Sequence, residues 1–530
     1  MGFTSGFTVA LAAFLLFAAI PVSSHNILFL MPIATKSETH LLIPLAKQML
    51  ERGHNVTFVS PSTSSIQHKN LKEIIPVTPL TMADFMPNME GDVLDMRRSK
   101  DDAVSAFTID MSYMTDRCHA TYQHKDFQPL LQAKAGSFDL VLVSAFFSEC
   151  FLGLIYKMDA PHIQISSMPP PQYVNDVTGL RTPLSFVPNP FVEFTDKMTL
   201  SQRLGNAFSS WMFSLVSYHH FFKVAENIYK QYLGEDLPDV DTLRKNVSLI
   251  FSNTHFSLNF PRPLMPDVIE IGGMHCHPPE PLPKELEDFV SGDENGFIFF
   301  SLGTVFLEGG MPQSLVNTFI NVFSRLKLRV LWKWRSGNIE GLPSNVKVSK
   351  WLPQNDLLGH PNIKLFISHG GLLSTQESTY HGVPVIGIPL FVDQDVNMKQ
   401  AEAHGYALKL ELLDITEEYL ENAIHRMLND TSFTKNAKLA SQIFKDQAQT
   451  PLERAVYWMD YIIKYKGAPH LRSSARDLSY IEYHMLDVQL IFMAILGTIV
   501  LIAWKIISYI LHCNSKDSDV QDVKRKKKRN

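Results

Sequence analysis

The chain alternates short apolar runs with amphipathic stretches. Residues 26–31 and 56–60 read as apolar strands, with a helical pattern over about 40–52 between them. Arg52-Gly53-His54 makes the helix-to-strand turn, and Gly53 suits a helix C-terminus, where positive φ is needed. A further strand pattern covers 140–144, a helix begins at Cys150, and another strand covers 162–166. This alternation predicts a parallel sheet with crossover helices. Residues 168–240 break the rhythm. They are rich in Pro, Phe, Trp and Tyr, with apolar helical stretches near 208–233, a composition that can line an apolar ligand pocket or touch a membrane. A second alternating unit begins near Val268, after a linker placed at 258–268. It has strands at 297–302, 330–334 and 346–349 and a helix over 312–326. Residues 452–466 are helical and aromatic and are expected to pack back on the body.

The segment 351–400 carries the densest chemistry. An apolar run (363–368) leads into His369-Gly370-Gly371 and a helix-like stretch. A second apolar run (383–390) then ends in Asp393, Gln394 and Asp395. Polar residues therefore stand where strands end, which is where open α/β sheets bind ligands. Phosphate needs backbone N–H groups and a positive helix N-terminus. Gly370 and Gly371 allow close approach, and the helix starting near Leu372 supplies the dipole. His369 can add a hydrogen bond to the same phosphate.

Both ends of the sequence depart from a soluble pattern. Residues 3–20 are apolar and are followed by Pro-Val-Ser-Ser, which reads as a secretory signal cleaved near Ser24. Residues 490–511, interrupted only by Lys505, suit one bilayer span. The basic tail, with Lys516 and residues 524–529, makes that end cytosolic and the body lumenal. Lys527 and Lys528 stand fourth and third from the end, like the dilysine retrieval signal of endoplasmic reticulum membrane proteins. Asn55, Asn246 and Asn429 head glycosylation sequons available to a lumenal body.

Composition narrows the class further. The 530 residues call for several domains, and 45% hydrophobic with 19% charged content indicates a folded chain. A net charge of −5 argues against nucleic acid as a partner. Cys118, Cys150, Cys276 and Cys513 have no metal spacing; one disulfide is open to them, with no pairing assigned.

The segment 351–400, with Arg52-Gly53-His54, Arg262-Pro-Leu-Met-Pro-Asp and Ser301-Leu-Gly-Thr, closely resembles the UDP-glycosyltransferases, the membrane-bound animal kind that conjugate small lipophilic compounds. Leu-Leu-Ser-Thr-Gln-Glu after His-Gly-Gly looks most like the arthropod branch. The implied fold is α/β and GT-B-like: two doubly wound Rossmann-like domains facing a cleft, plus one C-terminal transmembrane helix. The expected divisions are a signal peptide (1–24), an acceptor-binding domain (25–260), a UDP-sugar-binding domain (261–450), a return helix and juxtamembrane segment (451–487), the membrane helix (488–511) and the tail (512–530). The implied partners are a UDP-sugar, a small lipophilic acceptor and the membrane, with homo- or hetero-oligomerisation left open. UDP-sugar acts as co-substrate, with no metal and no bound cofactor.

The resemblance also implies roles. Trp351 would lie against uracil, Gln354 would bond the base or ribose, and Glu377 would bind the ribose hydroxyls. His369, with the backbone near Gly371 and Ser374, would hold the diphosphate, and Gly303 and Thr304 would contact it from the other side. Asp393 and Gln394 would bond the sugar hydroxyls, a task suited to a carboxylate and an amide. The donor would be glucose or glucuronate.

The acceptor half departs from the pattern. Relatives use a general-base His sixteen residues before the His of the Arg-Gly-His turn, oriented by an Asp. Counting back from His54 gives Glu38, and the position expected for the Asp is Ser144. Three readings stay open: His40 as base, with Glu149 as its partner; Glu38 as a weaker base; or a UDP-sugar and lipophile binder with little transfer.

Overall fold

The computed structural model describes residues 24–79, 93–99, 112–292, 294–303, 311–334 and 337–527. The expected signal segment (all but Ser24), Thr304 and the chain's last three residues lie outside them. Two parallel sheets form the body. The first holds β1 (Asn26–Leu30), β2 (Asn55–Val59), β3 (Leu71–Ile74), β4 (Leu140–Ser144), β5 (His162–Ser166), β6 (Leu249–Ser252) and β7 (Val268–Glu270), in the order β3-β2-β1-β4-β5-β6-β7. The second holds β8 (Phe297–Ser301), β9 (Arg329–Lys333), β10 (Val346–Ser349), β11 (Ile363–Ser368), β12 (Val385–Gly387) and β13 (Ala407–Lys409), in the order β10-β9-β8-β11-β12-β13. Central strands such as Leu-Val-Leu-Val-Ser and Phe-Ile-Phe-Phe-Ser are buried along their length, as parallel sheets covered on both faces require.

Both sheets reverse strand order at one place, between β1 and β4 and between β8 and β11. There the crossovers run to opposite sides and open a crevice at the strand C-termini. Six helices carry or support the residues considered below: α1 (Lys36–Glu51), α2 (Val93–Ser99), α3 (Leu200–Ser217), α4 (Gln354–Leu358), α5 (Leu372–His381) and α6 (Gln394–Ala403). Beyond them, α7 (Pro451–Lys464) buries Ala455, Met459 and Ile462 in one cluster with Leu41, Leu45 and Met49 of α1. The chain thus returns from the second sheet to cover the first, and Arg52 bonds Asp460 at 2.8 Å across that contact.

The boundary between the two sheets falls later than the 258–268 linker and the start near Val268 suggested. β7 pairs in parallel with β6, Val268 opposite Ile250 and Glu270 opposite Ser252, so the first sheet continues to Glu270. A three-residue strand gives periodicity too little to register. Cys118 and Cys150 form a disulfide inside the first core, with Cα atoms 6.3 Å apart. Residues 474–530 form a separate compact unit. Among the described residues one helix is long and apolar enough to cross a membrane: Leu486–His512, within α8 (Leu486–Lys527).

Replacing Cys118 and Cys150 by Ala should lower unfolding free energy by about 4 kcal/mol, the loop-closure entropy expected of a cross-link of this span. Denaturant unfolding of the variant and the oxidised parent measures the difference.

Candidate active site

The register of β8 and β11 sets Ser301 beside Ser368, so both strands release their chains at the same level. The next residues make the cradle. Gly303 has φ +87° and Gly370 φ +82°, both in the region that favours glycine. The His369 ring lies over this turn. A Cβ on Gly303 would stand 2.7 Å from its Nε2, and one on Gly371 would stand 2.5 Å away. Glycine is needed at both positions so that imidazole and backbone can close together. Gly371 is the N-cap of α5 and has no capping side chain. The first N–H groups of this helix therefore point, uncapped, at the cradle, where an anion is stabilised. Burial, aided by the nearby Lys333 charge and opposed by a backbone hydrogen bond to Ser301, pushes His369 down to about 4, so the ring is neutral at pH 7 and carries a single N–H.

One turn along α5, Ser374 and Glu377 face α4. Gln354 Nε2 donates to Ser374 Oγ at 2.9 Å and also to the Glu377 carboxylate. Burial raises Glu377 to about 7, against the pull of Gln354 and the charges of His277 and Lys333. Trp351, just before α4, leaves its indole 66% exposed. A flat exposed ring three residues before Gln354, whose amide bonds the buried Glu377 carboxylate, is suited to a nucleoside.

Asp393 caps α6. Its Oδ2 accepts from Asn397 Nδ2 at 2.8 Å, and Asn397 also donates to the Gly370 carbonyl at 3.1 Å, tying this turn to the glycine loop. Gln394 Oε1 accepts from the N–H groups of Leu390 (2.8 Å) and Phe391 (3.2 Å), which leaves its amide N–H groups as the end with donors to offer. Burial raises the Asp393 pKa, and the charge of Glu38 adds to the rise.

Glu38 comes from the first sheet, at the start of α1. Its carboxylate accepts from Thr35 N (2.8 Å), completing a capping box, and from Ser167 Oγ (2.8 Å). Burial raises its pKa. Its charge is also felt by the buried Tyr173, which packs among Phe146, Phe213 and Phe222 with ring centroids 5.7–6.5 Å apart. The charge of Glu38 thus reaches both Asp393 and the buried Tyr173. His40 is exposed on α1. Loss of water around the ring, then the charges of His277, Lys36 and Lys333, lower its pKa.

The pairing of His40 with Glu149 is not found. Glu149 is buried in the first core with Arg244 Nε 3.7 Å from its carboxylate, and burial raises it to about 7. Ser144 accepts from Phe146 N at 3.1 Å and makes a local turn. Three contributors went unread in the sequence. Ser167 and Lys333 each sit at the end of a strand, β5 and β9, and that placement is the signal that could have exposed them. The capping box Thr35-Lys-Ser-Glu38 is a recognisable motif that accounts for half of Glu38's bonds. Among the described residues no group of three or more His, Cys, Asp or Glu could hold a metal ion.

Paired Rossmann-like sheets with a glycine-lined anion cradle at the switch point define a glycosyltransferase of the GT-B kind. Solved structures agree on the fold. Spinosyn forosaminyltransferase SpnP superposes at TM-score 0.54 (17% identity, 83% of this chain and all of that one), and glycosyltransferase VinC in complex with dTDP at 0.52 (16% identity, 83% and 99%). The family model "UDP-glucoronosyl and UDP-glucosyl transferase" matches residues 29–518. Relatives include UDP-glycosyltransferase UGT5 of Dactylopius coccus, 34% identical over 91% of each chain, and UDP-glucuronosyltransferase 2B7 of Homo sapiens, 33% identical over 86% of this chain and 88% of that one. The chain belongs to this family of UDP-glycosyltransferases.

Gly371→Ala should weaken UDP binding about tenfold, because the added methyl displaces the His369 ring and blocks the helix terminus. Titration calorimetry with UDP measures it, and the thermal midpoint should change little.

Proposed function

We propose that the protein transfers glucose or glucuronate from its UDP conjugate to a small lipophilic acceptor with inversion, and that Glu38 is the general base. The observation that carries the base assignment is that Thr35 and Ser167 fix the Glu38 carboxylate at the start of α1, with its charge reaching both Asp393 and the buried Tyr173. The uridine would take Trp351, Gln354 and Glu377. The diphosphate would take Gly303, His369, Gly371, Ser374 and the α5 N-terminus, with Thr304 following Gly303 in sequence and the Lys333 charge nearby. The hexose would meet Asp393 and Gln394. UDP-sugar is a co-substrate in this scheme, and no step uses a metal.

In the reaction the acceptor O–H gives its proton to Glu38 as its oxygen attacks the anomeric carbon. The bond from that carbon to the β-phosphate oxygen breaks, and UDP leaves with the electron pair. The uncapped helix terminus and the His369 N–H stabilise the charge gathering on the leaving phosphate. A carboxylate whose pKa is raised is a better base than an ordinary one, and it still favours acidic hydroxyls such as phenols over alcohols. The alternative of a binder with little transfer draws no support from relatives named as transferases along nearly their whole length.

We place the body in the endoplasmic reticulum lumen with Leu486–His512 as a type I span. The Cys118–Cys150 disulfide supports an oxidising compartment, and the three sequon asparagines are exposed.

The test is acceptor-dependent UDP release. Glu38→Gln should lower kcat about 10²–10⁴-fold, while His40→Ala should act mainly on donor KM. Sign follows from the active form. The carboxylate is required, so the parent's rate should fall as pH drops through the raised Glu38 pKa, and this acid limb should vanish in Glu38→Gln. Full activity in Glu38→Gln with loss in His40→Ala would reassign the base.

A further inference from the structure

By chain order α2 belongs to the first half, between β3 and β4, yet it docks on the second. Val93 is buried in the second sheet's core together with Leu390, Leu410 and Leu412. One turn later Arg97 is 3% exposed. Its Nη1 and Nη2 donate to the two Asp395 oxygens at 2.7 and 2.8 Å, and its Nε and Nη2 donate to the Glu411 oxygens at 2.8 and 2.7 Å. A second strap reaches over from Glu193, also a residue of the first half. It holds Lys409 Nζ at 2.5 Å, and Lys409 Nζ lies 2.8 Å from Asp395 Oδ1. Lys399 adds a longer contact to Glu193 at 3.7 Å. The buried Asp395 is thus gripped by one first-half cation directly and by one first-half anion through a lysine. Paired and bidentate bonding is what a buried charge requires.

Asp395 is the second residue of α6, directly after Asp393 at the cap and Gln394 at the first position. Val392, just before them, is held at φ +58°, a conformation a β-branched residue adopts only when its neighbours enforce it. From the cleft side Asn397 ties Asp393 to Gly370. From behind, Arg97 and Lys409 both bond the Asp395 carboxylate.

We infer that Arg97, assisted by Glu193, is a positioning residue for the donor-sugar turn: the first half reaches across and fixes Asp393 and Gln394 against the hexose. This rests on the reading of those two residues as sugar-binding. Arg97 itself touches no substrate. The uridine residues Trp351, Gln354 and Glu377 belong to other elements, so the strap should govern the sugar and leave the nucleotide alone. Loosening the turn misplaces the hexose relative to the attacking oxygen, and a misplacement near 1 Å is enough to cost rate.

The experiment uses the full-length membrane protein and compares UDP affinity with UDP-hexose KM and kcat for Arg97→Met, Arg97→Lys, Glu193→Gln and Asp393→Ala. Arg97→Met should lower kcat/KM for UDP-hexose about 10–100-fold with UDP affinity unchanged. Arg97→Lys should recover part of the loss, and Glu193→Gln should shift the same way by less. Should Arg97→Met fail to fold, the lysine and Glu193 variants carry the comparison. Normal transfer in the strap variants with impaired Asp393→Ala overturns the strap and spares the sugar reading. Normal transfer in Asp393→Ala overturns both. Parallel loss of UDP affinity and transfer in the strap variants also overturns the proposal, since it marks general damage.

Discussion

The close seating of one imidazole on two glycines is the constraint that the donor site depends on. His369 can lie over the β8–β11 turn only because neither Gly303 nor Gly371 carries a Cβ. That contact leaves the end of α5 uncapped and keeps the ring neutral through burial. The same loop is tied through Asn397 to the Asp393 turn. In the proposed scheme the phosphate cradle, the nucleoside residues one helical turn along and the sugar turn all follow from where β11 lets go of the chain.

The acceptor half has a different logic. Its polar centre is a carboxylate that also closes a helix cap, so Glu38 is fixed by Thr35 and Ser167 before any ligand arrives. Its charge reaches both Asp393 and the buried Tyr173. In the proposed scheme a base held this way needs no orienting aspartate, and Ser144 serves a local turn while Glu149 sits with Arg244.

The proposed donor site could be read along the sequence because its residues are local. Gly370, Gly371, Ser374, Glu377, Asp393 and Gln394 fall within one strand–loop–helix–strand unit, and each follows a strand end or lines the helix after it. The fold was equally readable, since buried parallel strands and crossover helices alternate with a strong period. What stayed hidden joins distant parts of the chain. Ser167 lies 129 residues from Glu38, and Arg97 lies 298 from Asp395. No pattern along a single sequence couples such positions. The start of the second unit near Val268 differs for another reason: β7 is only three residues long, too short for periodicity to join it to the first sheet.

The most direct measurement of the central claim is a structure of the protein with UDP and a non-transferable UDP-hexose. It should show the β-phosphate within hydrogen-bond distance of His369 and the α5 N-terminus, the hexose on Asp393 and Gln394, and the anomeric carbon turned toward Glu38. A nucleotide bound away from the Gly303–Gly371 cradle, or an anomeric carbon facing away from Glu38, would contradict the account.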